Sequence, residues 1–218
     1  LKGVYNLLKQ DSIFIFEQPN FTVGVLSLKF DQIYHEHISY FTAKNIQSIL
    51  QHSNLKISSL SKNSYHGGSL RTIATKKNSN IKEYNIKKFI SFENKNNIYK
   101  VQFYKEMMKK INLKKEKILS RLINLVDKGY TISGIGAGAK SNTFLTFYGL
   151  DNHIIKFLTD SSKFKQNKYT PVTRIIIKDD KLLSNYKKIA CLILSWNISN
   201  IVINKIKKLN KKIKIIYT

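Results

Sequence analysis

Apolar residues recur along this chain at two periods, and the switches between them mark out the elements. Val4, Leu7 and Leu8 fit the last turns of a helix over residues 1–9, and residues 10–12 read as a turn. The apolar run Ile13, Phe14, Ile15 and Phe16 predicts a short buried strand of the parallel kind, ended by Glu17-Gln18-Pro19-Asn20. Thr42 suits a helix N-cap, and Ile46, Ile49 and Leu50 give a helix over 43–52 one apolar face. Residues 55–60 and 69–75 read as two strands, separated by a glycine-rich turn at Tyr65-His66-Gly67-Gly68.

The second half is patterned differently. Residues 76–97, rich in Lys and Asn, predict a connector with one short helix. A long amphipathic helix is expected over 98–128, with Val101, Tyr104, Met108, Ile111, Ile118, Leu122 and Leu125 on its apolar face. Strands are then expected over 130–135, 154–158, 174–177, 189–194 and 213–217, with helices near 181–186 and 198–209. Alternation of strand and helix predicts a mostly parallel sheet.

A few stretches carry chemistry. Between Tyr34 and Tyr40 lie two imidazoles, a carboxylate and two phenols, in a chain otherwise dominated by Lys, Asn, Ile, Leu and Ser. Alternation would put Tyr34, Glu36 and Ile38 on one side and His35, His37 and Ser39 on the other if the segment is extended. A histidine can take a proton from a weak carbon acid, and a tyrosine can donate to the oxyanion that forms. His35-Glu36-His37 also holds a His-x-His pair usable by a metal, and the plainest reading is a polar loop with satisfied histidines. Further on, Gly134, Gly136 and Ala139 match Gly-x-Gly-x-x-Ala between a strand and a helix, with Asp160 near the place of a ribose-binding acid. That pattern admits a nucleotide-binding or NAD(P)-linked Rossmann protein, or only a tight strand–helix turn. Lys140 and Asn142 sit where a helix N-terminus can meet a phosphate.

Composition narrows the field. The net charge is +25, yet only three of the 38 basic residues are Arg, and the Lys are scattered among Ile and Asn. Diffuse Lys without clustered Arg argues against sequence-specific nucleic-acid binding. No apolar run reaches the roughly 18 residues of a membrane span. Cys191 is the single cysteine, which rules out a disulfide within the chain or a Cys-rich zinc site and suits a reducing, cytoplasmic setting.

Taken together, five blocks resemble the S-adenosylmethionine-dependent sugar C-methyltransferases. They are residues 30–41, His66-Gly67-Gly68-Ser69-Leu70-Arg71, residues 134–143, Lys165-Gln166-Asn167-Lys168-Tyr169-Thr170-Pro171, and Ser195-Trp196-Asn197. Two departures stand out: Val172 follows Pro171 where the family usually has Gly, and Ser195 replaces an Ala. The resemblance implies an α/β fold: the end of a class I methyltransferase Rossmann-like sheet over residues 1–78, then a second Rossmann-like parallel α/β domain over 79–218 that begins with the long helix. It implies methylation of carbon 3 of a nucleotide-linked 4-keto deoxysugar through an enolate. His37 would be the base and Tyr34 the donor to the keto or enolate oxygen, while Glu36 would hold a sugar substituent or orient His37. His66, Arg71, Lys140 and Asn142 would contact the substrate, and no metal is expected at this site. The chain starts at Leu1, and the resemblance reads it as a fragment, inactive alone. The main S-adenosylmethionine site and a zinc-binding region would lie upstream. No nucleic-acid or membrane partner is expected, and nothing in the sequence sets the oligomeric state, which is compatible with a monomer.

Overall fold

A computed structural model describes residues 1–64 and 67–218. The chain divides into two compact units, residues 1–30 with 37–109 and residues 31–36 with 110–218.

The first unit is built on a three-stranded antiparallel sheet of order β1-β3-β2, from β1 (Ile13–Pro19), β2 (Leu55–Asn63) and β3 (Ser69–Lys76). Helix α1 (Lys2–Leu7) precedes β1, α2 (Phe21–Leu26) and α3 (Ala43–Gln51) lie between β1 and β2, and α4 (Ile86–Lys95) follows β3. Thr42 caps α3 as expected: its side chain accepts from the Asn45 amide, and the Asn45 side chain accepts from the Thr42 amide in return. The core joins Ile46 and Leu50 of α3 to Leu55, Ile57 and Leu60 of β2 and Leu70 and Ala74 of β3.

Two expectations need correction here. β1 is not a buried parallel strand. It is an antiparallel edge strand that runs on to Pro19, with Ile13 and Ile15 about half exposed. Pro19 stands at the end of this edge strand, where a missing N–H is tolerated. Helix α2 was not foreseen, because its sequence Phe-Thr-Val-Gly-Val-Leu is β-branched and holds a glycine. Asn20 starts it by accepting from the Val23 amide at 3.3 Å.

Helix α5 (Val101–Asp127) carries the chain from the first unit to the second. The second unit is a five-stranded, wholly parallel sheet of order β6-β5-β4-β7-β8. Its strands are β4 (Thr131–Ile135), β5 (Phe157–Thr159), β6 (Ile177–Lys178), β7 (Ile189–Ile193) and β8 (Lys214–Tyr217), with α6 (Ala139–Tyr148) after β4 and α7 (Ser199–Leu209) before β8. Every residue of β7 is buried, as befits the interior of a parallel sheet. Successive strands are added first on one side of β4 and then on the other, so the carboxyl end of β4 lies where the order reverses. β5 and β6 are shorter than the apolar runs suggested, and residues 180–185 form a 3₁₀ turn rather than a helix. No helix among the described residues is long and apolar enough to cross a membrane.

Candidate active site

The residues between Tyr34 and Tyr40 do not form an extended strand. A 3₁₀ turn at Phe30–Gln32 leads into a tight turn over residues 34–36, and only residues 37–40 run on without a turn. Period-two alternation therefore fails where it mattered. Tyr34 is half-buried, His35 and Glu36 are exposed, and His37 is half-buried. The Tyr34 and His35 rings meet edge to face at 5.8 Å.

Asp31 anchors the start of this segment in the second unit. It is 3 % exposed, and its carboxylate accepts from the Trp196 indole N–H, a partner 165 residues away in sequence. Burial and the Asp31 charge together push the Tyr148 phenol up to about 12. The Lys140 ammonium lies 5.3 Å from the centre of the Trp196 ring, a cation–π contact. Two of the sequence blocks, residues 30–41 and Ser195-Trp196-Asn197, thus meet through the Asp31–Trp196 hydrogen bond.

Tyr34 and His35 line a cavity of about 610 Å³ together with Asn142, Thr143, Thr146 and Phe147 of α6. Pro171 and Ala139 complete the described lining. Asn142 Oδ1 is buried and has no hydrogen-bond partner among the described residues. Of the expected site residues, the structure brings Tyr34 and Asn142 to one cavity. Glu36 lies in the same unit, exposed and outside that lining. His37 belongs to the first unit, where its ring lies 6.3 Å from that of Tyr40.

Asn45 Nδ2 donates to the Tyr40 carbonyl at 3.0 Å, and the Phe21 amide to the Phe41 carbonyl at 3.1 Å, so the chain beyond His37 is held in place. The buried Glu93 carboxylate secures the next residues by accepting from the Ala43 and Lys44 amides. It also accepts from the hydroxyls of Thr22 and Tyr99. Burial, followed by that bond to Glu93, raises the Tyr99 phenol far above its ordinary value.

Arg71 lies elsewhere in the first unit. Its Nε donates to Glu17 Oε2 at 2.9 Å, and Glu17 also accepts from Ser69 and Asn63. The Ser69 hydroxyl first, then Arg71, hold the Glu17 carboxyl below the usual range against the opposing effect of burial. These residues, with Gln18, line a second cavity of about 470 Å³. His66 lies outside the described residues.

The glycine loop is filled by the protein itself. A Cβ on Gly134 would come within 2.5 Å of Leu158, and one on Gly136, at φ +96°, within 1.9 Å of the Ser195 hydroxyl. Gly136 is favoured by its left-handed backbone, and a side chain at Gly134 would force the buried Leu158 and Leu194 to shift. Asp160 accepts from the Ala137 and Ser162 amides at 2.9 Å and from Lys165 at 3.0 Å. Burial pushes its carboxyl up, but the two amides and Lys165 prevail and hold it below the ordinary value. Among the described residues no group of three or more His, Cys, Asp or Glu is arranged to hold a metal ion.

Sequence reasoning missed His35, Thr143, Thr146, Asp31 and Trp196 as site residues. Helical spacing would have found the two threonines, since residues 139, 142, 143 and 146 share one face.

A protein-family model for the C-methyltransferase C-terminal domain matches residues 64–217, and the chain belongs to that family. Among characterised proteins it is similar to the C-methyltransferase NovU of Streptomyces niveus, with 26 % identity over 209 residues. That alignment covers 95 % of this chain and 50 % of the relative, so the chain spans about half the relative's length.

Proposed function

We propose that this chain is part of an S-adenosylmethionine-dependent methyltransferase that methylates carbon 3 of a nucleotide-linked 4-keto deoxysugar. One observation carries the reading: in a member of a C-methyltransferase family, Tyr34 and Asn142 line a single cavity large enough for a sugar and part of its nucleotide. A carbon beside a ketone is a weak acid. Loss of its proton gives an enolate, and a phenol can stabilise the oxygen that gains charge. In this reading Tyr34 donates to the keto or enolate oxygen and Asn142 holds the substrate. His37 takes the proton. Glu36 orients His37 or a sugar substituent, and Arg71, Lys140 and His66 contact the nucleotide part. Residues 1–78 complete the catalytic domain, and the parallel sheet of the second unit is Rossmann-like. The setting is the cytoplasm.

The methyl donor supplies an electrophilic methyl group. The first unit's described glycines are Gly3, Gly24, Gly67 and Gly68, and none lies in a strand–helix turn of the kind that holds a nucleoside. We assign the donor no residue of this chain. The engagement of Asp160 with its own loop speaks against a dinucleotide at Gly134.

The test is proton exchange at the sugar carbon in deuterated water, followed in the whole protein without methyl donor. His37→Asn should slow exchange and methyl transfer in parallel by about two to four orders of magnitude. Tyr34→Phe should slow both by less than His37→Asn, about a hundredfold. Near wild-type exchange in His37→Asn would remove His37 from the role of base.

A further inference from the structure

The turn at residues 34–36 sends His35, not Glu36, into the cavity beside Tyr34. His35 is exposed, so its imidazole is open to a ligand. On an otherwise largely apolar wall that includes Ala139, Phe147 and Pro171, Asn142 offers an amide and Thr143 and Thr146 offer hydroxyls. Among the described lining residues there is no Asp or Glu. A wall without carboxylates does not repel a negatively charged group, and these amide N–H and hydroxyl groups can donate to its acceptor oxygens. An imidazole keeps at least one N–H donor whether neutral or protonated.

We propose that His35 is a ligand-binding residue of this cavity and donates an N–H to a phosphate oxygen of a nucleoside diphosphate group. The inference rests on the reading above, in which the substrate is nucleotide-linked. It gives His35 a direct contact, distinct from the proton transfer assigned to His37. The competing role is that the His35 ring merely props the Tyr34 ring at their edge-to-face contact.

The experiment titrates the 218-residue chain with inorganic pyrophosphate and follows the imidazole NMR signals. His35 should move saturably, while His52 and His153, outside the cavity lining, stay in place. His35→Ala and His35→Phe should each weaken binding roughly tenfold, the worth of one charge-assisted hydrogen bond, and His35→Gln, which keeps a donor, should recover most of it. Recovery by His35→Phe would reduce His35 to a prop for Tyr34. Equal movement at His52 and His153, or no saturable movement at His35, would also overturn the proposal.

The methyltransferase reading fails by a different result. A whole protein that transfers no methyl group to any keto-sugar nucleotide, yet keeps His35-dependent pyrophosphate binding, would sink that reading and leave the anion site. Full methyl transfer with pyrophosphate binding indifferent to His35 would do the reverse.

Discussion

The two units are held together by opposite means. In the first, one buried carboxylate, Glu93, collects donors from α2, from the start of α3 and from Tyr99. In the second, the organising element is β7, a strand of Ile, Ala, Cys, Leu and Ile with every side chain buried. A polar hub depends on the identity of single atoms, because removing it strands each donor it satisfied. An apolar strand depends on volume, so a swap of similar size is tolerated. The segment bearing the candidate base leads into the residues that the polar hub holds, while the cavity of the second unit is lined chiefly by α6, the helix that follows β4.

The sharpest way to break this contrast is to remove both centres in turn. Glu93→Ala should cost the most, about 3–5 kcal/mol, because four donors, those of Thr22 and Ala43 fully buried, lose their acceptor. Denaturant unfolding would measure it. Leu192→Ala, at a fully buried position of β7, should cost about 3 kcal/mol, as a core truncation does. The near-isosteric pair then separates the mechanisms. Leu192→Met should cost less than about 1.5 kcal/mol, whereas Glu93→Gln, which keeps the shape but replaces an acceptor oxygen with an amide nitrogen, should cost more. The contrast fails if Glu93→Gln proves the milder of the two.

A pH series sharpens the comparison inside the second unit. The Asp160 carboxyl is held below its unfolded value, so its contribution is present above the unfolded value of about 4 and is lost as pH falls through the folded value. Asp160→Asn should therefore flatten the acid-side loss of stability, read as the slope of unfolding free energy against pH below about 4. An unchanged slope would mean that the ties to Ala137, Ser162 and Lys165 count for little in solution.

The smallest effect should be a gain. Val172 has φ +62°, and the Thr173 amide bonds to the Pro171 carbonyl at 2.7 Å across it, a γ-turn that a β-branched residue adopts under strain. Val172→Gly should relieve that strain and add about 1 kcal/mol after the added flexibility of the unfolded chain is deducted. Thermal melting would show it.

Much of this architecture was legible residue by residue. Thr42 and the apolar spacing after it gave α3, and the alternation after residue 130 gave a parallel sheet. What stayed hidden depended on contacts between distant residues. The antiparallel pairing of β1 with β3 is set by partners fifty or more residues apart, and its apolar run looks the same as that of a parallel strand. At the site, the glycine loop, Tyr34 and Asn142 stood out by residue type. Which of His35 and Glu36 enters the cavity was decided by a turn of three residues, where a period of two carries no information. The bond between Asp31 and Trp196 spans 165 positions and has no local signature.

The exposed face of β1 has a consequence for handling the protein. As one of the two edge strands of its sheet, β1 keeps one row of backbone amides and carbonyls without a strand partner among the described residues. Ile13 and Ile15 stand exposed beside that row. An apolar edge of this kind templates further strands, so the isolated chain should self-associate as its concentration rises. Ile15→Lys should raise the concentration at which light scattering first appears.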